Sequence, residues 1–362
     1  MSDPAVGETL RDVGEFGLID RVARRAVQAD TVLLGPGDDA AVVAAPDGRV
    51  VASTDLLLER SHFRRDWSSG YQIGRKAAAQ NLADIAAMGA EPTALLVGLA
   101  APGTLPVSWA RDLAKGLADE CALVGVSVAG GDTTRADAIV VAVTALGSLG
   151  GRPPVTRSTA HPGDIVAIAG ELGWSACGYE LLKRGMGTGI DASTGTRTRT
   201  GTGTGAGTEA ADDTSAGVSE PDDPDRSKAL ARHRSPEPPY AQGPIAARAG
   251  ATAMIDVSDG LLGDLAHIAE ESDVGIDVEP AALVVPDGLR TLGERLGVDP
   301  LNWILTGGED HALAACFPAA ADVPEGWTVI GSVLKRSAEQ SAPRVTVAGA
   351  AWAGPQGWDH FG

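Results

Sequence analysis

Residues 71–88 read YQIGRKAAAQNLADIAAM, and the spacing of their apolar positions decides the architecture. Ala78, Leu82, Ile85 and Gly89 share one face of a helix, while Lys76, Gln80 and Asp84 recur at i, i+4 on another. Working outward, short apolar runs bounded by turn residues predict strands at 31–34, 40–44, 50–53 and 92–100. A second helix is expected over 109–124 and a buried strand over 139–146. Short strands alternating with helices in this way predict a mixed α/β unit ending near residue 150.

A second unit opens with the strand DIVAIAG (164–170) and the helix WSACGYELLKRG (174–185). From Gly185 to Lys228 the chain is Gly, Thr, Ser, Asp and Pro with hardly an aliphatic residue, and it reads as a disordered, solvent-exposed insertion. Its glycines at 201, 203, 205 and 207 follow no strand and open no helix, so they do not form a dinucleotide loop. Globular pattern is expected again from about Ala229, through a strand at 253–257 and a helix at 261–271, to a sheet-like tail at 345–347.

With 48 acidic against 29 basic residues among 362, the net charge of −19 repels nucleic-acid phosphate and anionic membranes. A polyanionic substrate would need cations beside such a surface, so the acidity points to bound divalent metal. No apolar run reaches the roughly 18 residues of a membrane span, and the first residues lack the charge and apolar pattern of a signal peptide. Cys121, Cys177 and Cys316 lie far apart in apolar contexts. The expectation is a cytoplasmic protein with reduced core cysteines.

Chemistry concentrates in aspartates next to glycine or strand ends. Asp38 and Asp39 lie in GPGDDAAV, Asp55 in VASTDLLLE, Asp132 in GGDTTR, and Asp256 and Asp259 flank Ser258 in MIDVSDGLLGD; Asp84 comes from the Ala-rich helix. Each alone is an ordinary turn or helix-cap residue. Together they suit Mg²⁺ ions that bridge a nucleotide, since Mg²⁺ takes one or two carboxylates beside water and phosphate. There is no Lys-tipped phosphate loop, no H-R-D and D-F-G pair, no G-x-S-x-G and no H-E-x-x-H.

These motifs resemble those of the thiamine-monophosphate kinase family, within the aminoimidazole ribonucleotide synthetase superfamily. The resemblance rests on GEFGLI (14–19), GDDAAV (37–42), STD (53–55), HF (62–63), NLADIAAMGA (81–90), GGDTTR (130–135), TRS (156–158), IDVSDGL (255–261), TGGED (306–310) and WDHF (358–361), in that order. It implies a two-domain PurM-like fold. Residues 1–150 would form a dimerising N-terminal domain, and 151–362, interrupted at about 185–228, a C-terminal domain closing over nucleotide. It implies phosphorylation of thiamine monophosphate by ATP with several Mg²⁺ ions, in a homodimer.

By position, the resemblance implies metal ligands at Asp39, Ser53, Thr54, Asp55, Asp84, Asp132, Asp256 and Asp259. Nucleotide contacts fall on Gly131, Asp132, Arg157 and Ser258, and substrate contacts on His62, Glu309 and Trp358. No separate catalytic base is implied, because a phosphate monoester with a second pKa of about 6 is already an anionic nucleophile. The alternatives are a superfamily enzyme with another acceptor and a non-catalytic sensor of thiamine phosphates. Selenophosphate synthetase is disfavoured because the first cysteine is Cys121. Arg60 and Ser61 depart from the family's usual glycine and aliphatic, His311 stands for an aromatic, and Pro239 for an arginine.

Overall fold

The computed structural model describes residues 8–13, 28–34, 41–187, 223–318, 323–337, 344–354 and 357. Asp38, Asp39, Trp358, the motif at 14–19 and residues 188–222 of the expected insertion lie outside the described residues.

Before residue 150 the described strands are β1 (Val32–Leu34), β2 (Val42–Val43), β3 (Val51–Leu58), β4 (Glu91–Ala101), β5 (Val128–Arg135) and β6 (Val140–Ser148). The last four form one sheet in the order β3-β6-β4-β5, antiparallel except for the β4–β5 pair. Helices α1 (Gly70–Ala87) and α2 (Val107–Leu123) cover one face of it. Ser69 starts α1 with a capping box: its hydroxyl accepts from the Gln72 N–H while the Gln72 side chain accepts from the Ser69 N–H. The helices touch backbone to backbone. A Cβ at Gly74 would sit 2.0 Å from the Leu113 carbonyl and one at Gly116 2.0 Å from that of Tyr71. Ile73, Leu82 and Ile85 fill the space beneath with Leu95, Val141 and Val143, each fully buried side chain contributing about 2 kcal/mol.

Among the described residues the opposite face of this sheet is open along β3 and half-open along β6. Alternation places Ala52, Thr54, Leu56 and Leu58 there, with Leu56 58% exposed and Leu58 38%. The antiparallel β1–β2 pair covers its other end, where Val32 packs on Ala94 and Ala129.

After residue 150 come β7 (Ile165–Ala169), β8 (Ala253–Val257), β9 (Val274–Val278), β10 (Ala312–Phe317), β11 (Trp327–Lys335) and β12 (Val345–Val347). They form a second sheet in the order β12-β9-β11-β7-β10-β8. The helices are α3 (Trp174–Lys183), α4 (Pro224–Arg234), α5 (Gln242–Arg248), α6 (Leu261–Glu271), α7 (Asp287–Leu296) and α8 (Pro300–Thr306). Strands β8 and β10 are buried at every position. One face meets the helical layer through Val166, Ile255, Leu181 and Leu265. The other meets the C-terminal end of α1 and α5 through Ala167, Met254, Leu313, Ala86 and Ala246. A strand covered on both sides reads as a continuous apolar run.

Three expectations are corrected. The segment expected to be insertion up to Lys228 already holds α4 from Pro224: Asp223 accepts from the Asp225 and Arg226 N–H groups, and proline occupies the first turn. Gly185 to Gly187 likewise belong to the turn that ends α3. Strand β3 runs to Leu58, so Asp55 lies mid-strand rather than at its end. The glycine pair before Asp132 lies inside β5, where a Cβ at Gly131 would collide with the Val97 carbonyl at 1.9 Å.

Candidate active site

A cleft of about 1040 Å³ runs between the two sheets. Strand β3 brings Ser53 and Asp55 to it, α1 brings Lys76, Gln80 and Asp84, β8 brings Asp256, and the turn from β8 into α6 brings Ser258 and Asp259. His62, Arg157 and Glu309 line it as well. Nine of the residues implied by the resemblance therefore share one cavity: Ser53, Asp55, Asp84, Asp256, Asp259, Ser258, Arg157, His62 and Glu309.

Others lie elsewhere. Thr54 points to the open face of the first sheet, its hydroxyl donating to the Val143 carbonyl at 3.0 Å, so its side chain does not join Ser53 and Asp55. Gly131 and Asp132 sit on edge strand β5 and do not line the cleft; the Asp132 carboxylate accepts from the Thr133 N–H at 2.8 Å. Asp39 and Trp358 are outside the described residues.

The carboxylates crowd one end of the cleft. Ser53 Oγ donates to Asp84 Oδ2 at 2.5 Å, and the buried Asp256 meets His311 Nδ1 at 3.1 Å. Burial and the nearby Asp256 and Asp55 push the Asp84 carboxyl up to about 7, against the Ser53 hydrogen bond. Burial raises that of Asp55 as well, with Asp256 adding to it. Acids so desolvated and so close to like charge require cations to stay ionised together. On His311 burial opposes the proton, yet the Asp256 hydrogen bond and charge prevail and raise its pKa.

Loop 258–260 is shaped by Asp264, the last residue of MIDVSDGLLGD. Its buried carboxylate accepts from the N–H groups of Ser258, Asp259 and Gly260 at 3.0 to 3.1 Å. Helix α6 is capped from within by this contact, and Asp259 is not its cap. Gly260 has φ +123°, and a Cβ at Gly308 would lie 2.5 Å from the Ser258 carbonyl, so the SDG and TGGED loops pack backbone to backbone. Beyond the glycines, Glu309 and His311 hold left-handed backbone at φ +65° and +53°. Such strain in non-glycine residues gathers at functional sites.

Glu309 faces Lys76 at 2.9 Å. Burial works against its charge, but Lys76 and His233 outweigh that and hold its pKa below the usual carboxylate range. The Lys76 side chain is only 4% exposed; its place among Gln80 and Asp84 at helical spacing was the sequence signal for it. His233 Nδ1 lies 3.3 Å from Ser175 Oγ and 3.4 Å from Glu309 Oε2. Beyond it Tyr179 and Trp67 continue the wall, their rings 6.0 Å apart and edge to face. This aromatic wall sequence reading missed, because its members come from separate elements.

Burial, helped by Lys76, pushes the His233 imidazole down to about 3 from 6.5. The unfolded chain takes up a proton near 6.5 while the folded one refuses it until about 3, so stability falls as pH drops through this window. From pH 7.5 to pH 5 the group should account for about 2 kcal/mol of lost stability. In His233→Gln the loss measured by urea unfolding at the two pH values should shrink by that amount; an unchanged loss would refute the assignment.

A mostly antiparallel four-stranded sheet under two helices, joined to a carboxylate-lined cleft, defines the class. Residues 37–149 match the family model described as AIR synthase related protein, N-terminal domain. Over 355 residues the chain is 46% identical to the thiamine-monophosphate kinase of Mycobacterium tuberculosis (strain CDC 1551 / Oshkosh), covering 98% of this chain and 93% of that protein. The crystal structure of thiamine-monophosphate kinase from Stenotrophomonas maltophilia K279a superposes with a TM-score of 0.72 at 29% identity, covering 94% of this chain and 98% of that one. AaThiL complexed with AMPPCP and TMP gives 0.71 at 28%, covering 98% and 99%. The chain belongs to the thiamine-monophosphate kinase family.

Proposed function

We propose that this chain transfers the γ-phosphoryl group of ATP to the phosphate of thiamine monophosphate, giving thiamine diphosphate and ADP. Its family membership carries the reading, with the AMPPCP and TMP complex of a relative in support. An oxygen of the acceptor phosphate forms the new bond to the γ-phosphorus. The bond from that phosphorus to the β,γ-bridging oxygen breaks, and ADP leaves with the electron pair. A carboxylate acting as strong base is not needed, since the acceptor is already an anion near neutral pH.

The residues fit magnesium. Asp55, Asp84, Asp256 and Asp259, with the Ser53 hydroxyl, offer only oxygen donors, and Asp84 is held near carboxylates whose repulsion outweighs the pull of His311. Among the described residues no three His, Cys, Asp or Glu side chains converge to hold an ion unaided. Mg²⁺ would draw its remaining ligands from water and substrate phosphates. When bound, Mg²⁺ supplies charge neutralisation between two polyanions and aligns them. Asp39 and Asp132 complete the proposed metal set, Asp132 and Gly131 reaching nucleotide from β5. Arg157 and Ser258 serve the nucleotide, and His62, Glu309 and Trp358 the acceptor. Of Thr54 only the backbone remains a candidate ligand.

The open face of β3 and β6 is read as the contact of a homodimer, since adjacent exposed leucines mark an association surface and two-fold dimers predominate. The partition at residue 150 into a dimerising and a nucleotide-closing domain is part of the same reading. Three buried, unpaired cysteines favour a reducing cytoplasm. No helix among the described residues is long and apolar enough to cross a membrane.

Purified protein given ATP, Mg²⁺ and either thiamine monophosphate or thiamine, its products separated by chromatography, should form thiamine diphosphate from the monophosphate alone. Absence of turnover would remove the reading. Light scattering on the same sample should give twice the 36.7 kDa chain mass; a single chain mass would remove the dimer.

A further inference from the structure

Arg60 sits where a side chain is sterically unwelcome. Its φ is +74°, the left-handed region in which Cβ crowds the backbone and which glycine fills at no steric cost. The loop that holds it there is tight. The Arg60 N–H donates to the Phe63 carbonyl at 2.7 Å, the N–H groups of Ser61 and His62 donate to the Leu58 carbonyl, and the Leu58 N–H donates to His62 Nδ1 at 3.0 Å. Phe63 anchors the turn in the core. The loop follows directly from β3, the strand that carries Ser53 and Asp55, so Arg60 is presented to the cleft from a fixed base.

Charge in the cleft is unevenly committed. Lys76 is engaged by Glu309 at 2.9 Å and Arg64 by Asp66 at 2.6 Å. Among the described residues no carboxylate pairs with Arg60 or Arg157, although both line the cavity. They come from separate segments, Arg157 from the one before β7 and Arg60 from the turn after β3. A reaction that joins two phosphate-bearing molecules has use for a fork of N–H donors on each.

We propose that Arg60 binds the phosphate of the acceptor and is the residue by which this chain prefers a phosphorylated acceptor to its free alcohol. The inference rests on the kinase reading above and extends it to a residue outside the set that the motifs imply. Arg157 then serves the nucleotide and Arg60 the acceptor. Strain at φ +74° is retained because the guanidinium is used.

This predicts a substitution that firms the fold while weakening the substrate. In Arg60→Gly the thermal midpoint should rise by about 1–2 °C. The KM for thiamine monophosphate should rise about tenfold, as for loss of a charge-assisted hydrogen bond, with the KM for ATP unchanged. Unphosphorylated thiamine, added as a competitive inhibitor, should bind wild type and variant equally. Arg60→Asn, which tolerates left-handed backbone and is neutral, should match Arg60→Gly in KM, and Arg60→Lys should recover part of the affinity. An unchanged KM for the monophosphate, or an equal loss of thiamine binding, would overturn the assignment. Wild-type protein that fails to phosphorylate thiamine monophosphate would instead overturn the kinase reading on which it stands.

Discussion

Asp84→Asn is expected to lower kcat by at least about 10²- to 10³-fold while leaving the fold intact or slightly firmer. Both halves of this outcome follow from one arrangement. Asp84 is buried beside Asp55 and Asp256, and its carboxyl is pushed up to about 7 by burial and by those neighbours. An amide of the same shape removes a like charge from the cluster and keeps a group for Ser53 to bond. What it cannot do, on the proposed reading, is help hold cations between ATP and the phosphate of the acceptor. Steady-state rates with saturating ATP, Mg²⁺ and thiamine monophosphate, alongside thermal melts of the metal-free proteins, test both halves. Wild-type rates would remove Asp84 from the metal set. A large drop in melting temperature would show the carboxylate to be a structural group.

Breaking the Lys76–Glu309 pair should be asymmetric. Lys76 is 4% exposed and Glu309 34%, so the lysine is the partner that cannot be left alone. Glu309→Gln should cost about 2 kcal/mol, a figure reduced from that of a fully buried pair because the glutamate faces the open cleft. Lys76→Met should cost less, and the double variant should recover at least half of the Glu309→Gln loss. Urea midpoints of the four proteins give the coupling directly; losses that simply add would show that the two side chains do not sustain one another. Glu309→Gln should also raise the KM for thiamine monophosphate, since this carboxylate is proposed to meet the acceptor.

Much of this was legible in the chain. Period 3.6 over residues 71–88 marked α1, and the apolar runs marked β4, β6, β7 and β8 within a residue or two. Of the aspartates that short motifs single out, Asp55, Asp84, Asp256 and Asp259 share the cleft, whereas Asp132, behind its glycine pair, does not line it. Other features depend on partners far away in sequence. Asp264 looks like one more helix acid until three backbone N–H groups of its own loop are seen to converge on it. Lys76 meets Glu309 across 233 positions, and Trp67 meets Tyr179 from another element, so neither contact has a local period. Asp223 and Pro224 did carry a local helix-start signal, which the Gly- and Thr-rich composition before them obscured. Arg60 stood out as a departure in sequence; its positive φ explains why glycine suits that place.

Helix α1 belongs to both sheets at once. Its first turns pack on α2 and the four-stranded layer, and its last on β7, β8 and β10, where a Cβ at Gly243 of α5 would strike the Ala86 carbonyl at 2.0 Å. A mechanical consequence follows. Relative movement of the two walls would have to strain this close-packed backbone, so α1 is a stiff spine that both walls share. Asp84, carried on that spine, keeps a fixed station between the two walls.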